Sequence, residues 1–173
     1  NRCRRQRQMC IRDSLQAARE RRRVDIEYVS MDNPEGRGRN IVPHTIVFDG
    51  FRWHVRAYCE ERRMFLDFVL SRFRGEPELL NQSEINIEDD EDWATEEIIE
   101  IIPNPHLSPA QQQIVKVDYG MNDAPFTIDC RRALIKYLLK RLDVCVDTKK
   151  LSSAPKKYQL TLENPKNIKR WLL

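Results

Sequence analysis

The stretch Arg52-Trp53-His54-Val55-Arg56-Ala57-Tyr58-Cys59 alternates strictly between two kinds of side chain. As a strand it sends Arg52, His54, Arg56 and Tyr58 to one face and Trp53, Val55, Ala57 and Cys59 to the other, because successive side chains point to opposite sides of a sheet. The second face, which includes Trp53, is apolar enough to bury. The first is a row of cationic and hydrogen-bonding groups suited to an anionic ligand. A sheet that carries a binding surface is the expectation.

Working outward, the same period of two recurs upstream, where Val24, Ile26 and Tyr28 alternate with Asp25 and Glu27. The turn formers Asp32-Asn33-Pro34-Glu35-Gly36 end that strand, and a second strand is expected from about Arg39 to Phe48, bent at Pro43. Asp49-Gly50 is a strong hairpin signal leading into Phe51 to Cys59. After the turn Glu60-Glu61-Arg62-Arg63, a strand from Met64 to Phe73 returns with Met64, Leu66, Phe68 and Leu70 on one face. Residues 9–22 read as a preceding helix with Met9, Ile11, Leu15 and Ala18 at helical spacing. Short strands joined by tight hairpins behind one helix predict a small antiparallel barrel.

Further along, Glu88-Asp89-Asp90-Glu91-Asp92 reads as an acidic linker and Ile98-Ile99-Glu100-Ile101-Ile102 as a short, fully buried strand ended by Pro103 and Pro105. The remainder predicts a helix over 108–113, strands over 114–119 and 126–129, a helix over 131–142 with Leu134, Tyr137, Leu138 and Leu142 as its apolar stripe, a strand over 158–162 and a final helix over 165–172. The fold class is therefore α+β. The domain division is 1–23 for the N-terminal helix, 24–75 for the barrel, 76–102 for an acidic linker with a short strand, and 103–173 for a small C-terminal α+β domain. A unit that small leaves apolar surface for a partner chain to cover.

The 173 residues are 40% hydrophobic, enough for a packed core. No run approaches the roughly 20 apolar residues that span a bilayer, so no membrane role is expected. Five cysteines, at 3, 10, 59, 130 and 145, form no CxxC pair, which favours a reducing, cytoplasmic setting. The chain opens on Asn1 rather than Met and reads as trimmed from a longer one. Its net charge of +3 conceals segregation: residues 1–75 carry 17 basic and 10 acidic side chains, 76–100 none and 11, and 101–173 13 and 6. Every basic residue of the first block is Arg, whose planar fork matches phosphate and tilts the partner toward nucleic acid or nucleotide. Codon bias with a solvated face would give the same pattern.

No GxSxG elbow, HExxH or glycine-rich phosphate loop is present, so the chain does not read as an enzyme and no cofactor is implied. His44, His54 and Cys59 could ligate a metal only if the strands converged them, and no spaced motif supports that. The anion-binding constellation has broader support. Tyr28 and Ser30 close the first strand, Arg37 and Arg39 open the second, which also carries His44; His54 and Arg56 lie on the third, and Ser71 and Arg72 follow the fourth. A curved sheet would gather them into one groove where guanidinium groups take phosphates and Tyr or His stacks on bases. Arg39, Arg56 and Arg72 are the phosphate candidates, Tyr28 and His54 the stacking ones, and Ser30 and Ser71 the polar contacts.

Tyr28-Val29-Ser30, Arg39-Asn40-Ile41-Val42-Pro43-His44, the opening stretch, and Asp67-Phe68-Val69-Leu70-Ser71-Arg72-Phe73 together resemble a WYL domain. Trp53-His54-Val55 takes the Trp-Tyr-Leu position, and the following Arg-Ala-Tyr is similar to WYL regulators that repress phage-defence operons of the BREX and CBASS kinds. Pro103-Asn104-Pro105-His106-Leu107, Val117-Asp118-Tyr119-Gly120-Met121 and Leu134 to Leu139 resemble that family's C-terminal extension. The resemblance implies an Sm-like, SH3-type barrel that senses a nucleic acid or nucleotide, an extension that forms a homodimer, and an N-terminal winged helix-turn-helix, not found in this chain, for operator DNA. His54 departs from the name-giving Tyr, and Leu66 stands where many members carry Arg. Two other readings fit the same residues: a stand-alone module for single-stranded nucleic acid, and a purely structural dimerisation domain.

Overall fold

The computed structural model describes residues 12, 14–122 and 124–168, excepting the side chains of 166 and 167. Two compact units divide between Asp90 and Glu91. The first holds a helix over residues 14–20 (α1) and five strands: β1 Arg22–Tyr28, β2 Arg37–Phe48, β3 Trp53–Cys59, β4 Met64–Val69 and β5 Phe73–Gln82. They form one antiparallel sheet in the order β4-β3-β2-β1-β5. Val24, Ile26 and Tyr28 are buried, as their alternation with Asp25 and Glu27 requires. Gly50 closes the β2–β3 hairpin at φ +99°, a conformation that side chains with a Cβ rarely adopt.

Pro43 sits in a central strand, where its missing N–H would break the ladder. A register shift between Pro43 and Thr45 absorbs it: Pro43 faces Ala57, Thr45 faces Arg56 and Ile46 faces Val55. The bulge leaves His44 on the outer face beside Thr45 while returning Ile46 to the core. The sheet is also curled. Tyr28 at the end of β1 accepts a hydrogen bond from Val69 N at the end of β4 (3.1 Å), and Val29 N donates to the Arg72 carbonyl (3.1 Å). The Tyr28 ring packs edge-on against Phe68 and Phe73. No ladder joins the edge strands β4 and β5, so the sheet remains open in its pairing.

Several expectations for this unit are corrected. Met9 and Ile11 lie outside the described residues, and α1 buries Ser14 and Ala17 rather than Leu15. The fourth strand ends at Val69, and Leu70–Arg72 turn as a 3₁₀ helix. Residues 76–82, expected in the linker, continue β5, an antiparallel neighbour of β1 whose half-polar sequence concealed it. Trp53 is 39% exposed, because it pairs with Phe48 at the mouth of the hairpin beyond the core, their rings 4.8 Å apart.

The second unit contains a short helix Glu91–Ala94 (α2), strands β6 Glu96–Pro103, β7 Phe126–Arg131 and β8 Leu160–Leu162, and helices α3 Pro109–Asp118, α4 Ile135–Arg141, α5 Thr148–Ser153 and α6 Pro165–Ile168. The antiparallel sheet runs β7-β6-β8, with β6 at its centre. Strand β6 is half-buried rather than fully buried: Ile99 and Ile101 enter the core and Ile98 is 64% exposed. Residues 114–119, expected as a strand for their β-branched content, lie mostly in α3. Ser108 and Gln111 form a capping box at its start and Pro109 occupies the first turn, so the helix is fixed before Ile114 is reached. Gly120, at φ +63°, ends it with bonds from Gly120 N to the Val117 carbonyl and from Met121 N to the Lys116 carbonyl. The expected helix over 131–142 begins as a 3₁₀ turn, Arg132–Leu134, which rotates the buried positions to Ala133, Ile135 and Leu139. Helix α5, capped by Asp147, was not expected, and residues 169–172 of the final helix lie outside the described set.

Candidate ligand-binding site

Register decides which of the candidate residues can meet. Tyr28, Arg37, Ile26 and Arg39 form cross-strand pairs on the face of β1 and β2 that also carries Val24 and Ile41, the core face. On β3 that face holds Val55, Ala57 and Cys59, so His54, Arg56 and Tyr58 point to the other side, together with Asp67 and Phe65 of β4. The single groove expected from the sequence therefore splits between two faces of one sheet. Tyr28 is a core residue, Ser30 accepts from Asn33 N within the β1–β2 turn, and Ser71 is exposed on the 3₁₀ turn with Arg72. Arg37 is exposed, and Arg39 is half-buried with Nη1 3.9 Å from Cys59 Sγ.

The outer face brings His44 and Arg56 together on Asp90, a residue of the expected acidic linker. Asp90 is 1% exposed. Its carboxylate accepts two bonds from one guanidinium, Arg56 Nε at 2.7 Å and Nη2 at 2.9 Å, while His44 Nε2 lies 3.1 Å from Oδ2. Arg56 Nη1 also donates to Asp67 Oδ1 at 3.3 Å, and His44 Nδ1 lies 2.9 Å from Thr45 Oγ1. Burial pushes the Asp90 carboxyl up, but the bonds and charges of His44 and Arg56 outweigh it and bring the group down to about 2. Burial likewise works against the Arg56 charge, and the two carboxylates more than offset it, raising its pKa. Beside this cluster a cavity of about 110 Å³ lies between Val42, His44 and Phe65 of the sheet and Ile85 and Ile87 of the following segment.

His54 belongs to a different arrangement. Its Nε2 lies 2.8 Å from Asp49 Oδ2, and the other oxygen of Asp49 accepts from Phe51 N (2.8 Å) and Arg52 N (2.6 Å). Burial would raise the Asp49 carboxyl, yet these backbone and histidine bonds hold it well below the usual carboxylate range. The metal trio does not converge, since Cys59 faces the core and the histidines sit on separate carboxylates.

Two family models match this chain in succession: the WYL domain over residues 11–75, and the BrxR transcriptional regulator C-terminal dimerization domain over residues 96–168. The chain is a WYL domain followed by a BrxR-type C-terminal domain. Among curated relatives, the DNA-binding transcriptional repressor CapW of Stenotrophomonas maltophilia is 34% identical over 158 residues, which cover 91% of this chain and 52% of that protein. CapW of Pseudomonas aeruginosa is 37% identical over 155 residues, covering 90% and 51%, and CapW of Escherichia coli 38% over 154, covering 89% and 50%. The chain spans about half the length of the curated relatives it matches. Within the WYL domain the reading from sequence missed the carboxylates. Asp49 carried a signal, the Asp-Gly hairpin, whereas nothing distinguishes Asp90 from its four acidic neighbours.

Proposed function

We propose that this chain is the sensing and dimerisation part of a CapW-type transcriptional repressor. The supporting observation is the ordered pair of family matches, which fall on opposite sides of the division between the two compact units. In the intact protein a winged helix-turn-helix would contact operator DNA, and ligand binding in the WYL domain would favour a dimer geometry that no longer fits the operator. Such a switch requires the ligand to bind the two geometries with different affinity.

The ligand we propose is a nucleotide or a nucleic-acid strand, received on the outer face by His44 and Arg56. Arg37 and Arg39 lie on the other face, so a mononucleotide reaches one group, while only a strand of several nucleotides engages both. The curled β4-β3-β2-β1-β5 sheet, with Tyr28 bonded to Val69 and Val29 to Arg72 but no ladder between its edges, supports an open relative of the small Sm-like, SH3-type barrel expected of the family.

For dimerisation the outer side of α3 is the surface we propose, with a second copy as its occupant. Ile114 and Val117 are 60% and 69% exposed there, on a helix within the residues matched to a dimerization domain. A shallow pocket of about 240 Å³ lined by Leu107, Ile114, Val115 and Lys156 adjoins them.

Fluorescence polarisation with a labelled mixed-sequence single strand and with a labelled mononucleotide tests the ligand. Binding of the strand that steepens at low salt and weakens in Arg39→Ala, with the mononucleotide insensitive to that change, is the expected result. A chain that dimerises and binds neither probe has a structural role alone.

A further inference from the structure

Arg56 already holds an anion. Asp90 occupies the two-pronged position that a phosphate would take on a guanidinium, and Asp67 occupies the remaining Nη1. A phosphate added to this assembly would place three anionic groups around one guanidinium and one histidine in a buried setting, where like charges repel strongly. Occupation by an outside anion and seating of Asp90 are therefore mutually exclusive.

The segment that carries Asp90 is largely self-contained in its hydrogen bonding. Residues 84–89 make their hydrogen bonds, among the described residues, within 83–90: Ile85 N to Ser83 Oγ, Asn86 N to Asp89 Oδ2, Asn86 Nδ2 to the Glu84 carbonyl and Asp89 N to the Asn86 carbonyl. At its start Ser83 N donates to the Arg21 carbonyl (2.8 Å), and at its end the Asp90 carboxylate is a polar anchor. Between the anchors Ile85 and Ile87 line the cavity beside Val42, His44 and Phe65, and Ile87 is 36% exposed. Glu88 and Asp89 are exposed and extend the run of acids, which favours a solvated segment once it is free. Residue 91 begins the second unit, so Asp90 is the last residue of the first.

We infer that Asp90 is a built-in counter-anion that must leave Arg56 before a phosphate-bearing ligand can bind there, making ligand entry and release of residues 84–90 one event. This rests on the reading of the WYL domain as an anion sensor and supplies its regulation. The competing carboxylate lowers apparent affinity by the fraction of molecules with the segment open.

Hydrogen–deuterium exchange and calorimetric titration with inorganic pyrophosphate test it on the 173-residue chain. Pyrophosphate raises exchange of the 84–89 amides in the unsubstituted protein. Asp90→Asn raises it at least tenfold without any probe and tightens pyrophosphate binding at least tenfold, whereas Glu88→Gln, which removes one exposed charge from the same run, changes neither. The unsubstituted protein provides the reading that does not depend on a variant's folding. Pyrophosphate bound with no change in 84–89 exchange, or with equal affinity by Asp90→Asn, overturns the inference and leaves the sensor reading standing; binding by neither protein overturns both.

Discussion

His54 on Asp49 and His44 on Asp90 are the same pair of residue types on the same face of one sheet, yet they do different work. Asp49 lies five residues from its histidine and is fastened by the backbone amides of Phe51 and Arg52, so the interaction is part of the hairpin that creates it. Asp90 is 34 residues from Arg56 and 46 from His44, and the side chains of both meet its carboxylate. A carboxylate held by its own turn cannot leave without unfolding the turn. One held by distant side chains is the one we propose to be exchanged for another anion.

The contrast can be broken most sharply at Arg56. Arg56→Met leaves Asp67 and Asp90 buried without their guanidinium and should cost about 3–5 kcal/mol, read as a lowered urea midpoint of the first unit. Asp49→Ala should cost about 2–3 kcal/mol through loss of bonds to a charged group, with exchange rising in the β2–β3 hairpin and residues 84–90 unaffected. Acid separates the pairs by another route. Because the folded Asp90 carboxyl sits at about 2, against about 3.9 when unfolded, its contribution is full above about pH 5 and is lost as pH falls through 4 and past 2, about 2.5 kcal/mol in all. Urea midpoints measured between pH 6 and pH 2.5 should show that loss, and Asp90→Asn should lack it. The smallest effect on folding is expected in the second unit: Val117→Lys should alter stability by no more than about 0.5 kcal/mol, yet convert a dimer to a monomer in light scattering.

Legibility in the sequence followed the range of the interaction. The β1 alternation, the Asp49-Gly50 hairpin and the return strand from Met64 were readable because each is decided within about ten residues. Ile114 to Tyr119 misled because β-branched residues suggest a strand, while the helix is determined upstream by Ser108, Pro109 and Gln111. The site was half legible. Arg56, His44 and His54 were singled out, but their grouping depends on the bulge after Pro43, which adds one residue to β2 and changes which side chains face each other across the ladder. Asp90 was hidden because a buried acid and a solvated one are the same letter, and its partner lies 34 positions upstream.

Helix α3 carries a consequence for association. Closed at one end by the Ser108–Gln111 box and at the other by the Gly120 turn, it holds Ile114 and Val117 in place whether or not anything covers them. A surface that is already ordered loses little conformational freedom when a second copy docks, so even a modest contact area could hold two chains together. On the proposed reading, a dimer formed through α3 resists changes that loosen the WYL domain, and a signal received there alters the arrangement of the pair without dissolving it.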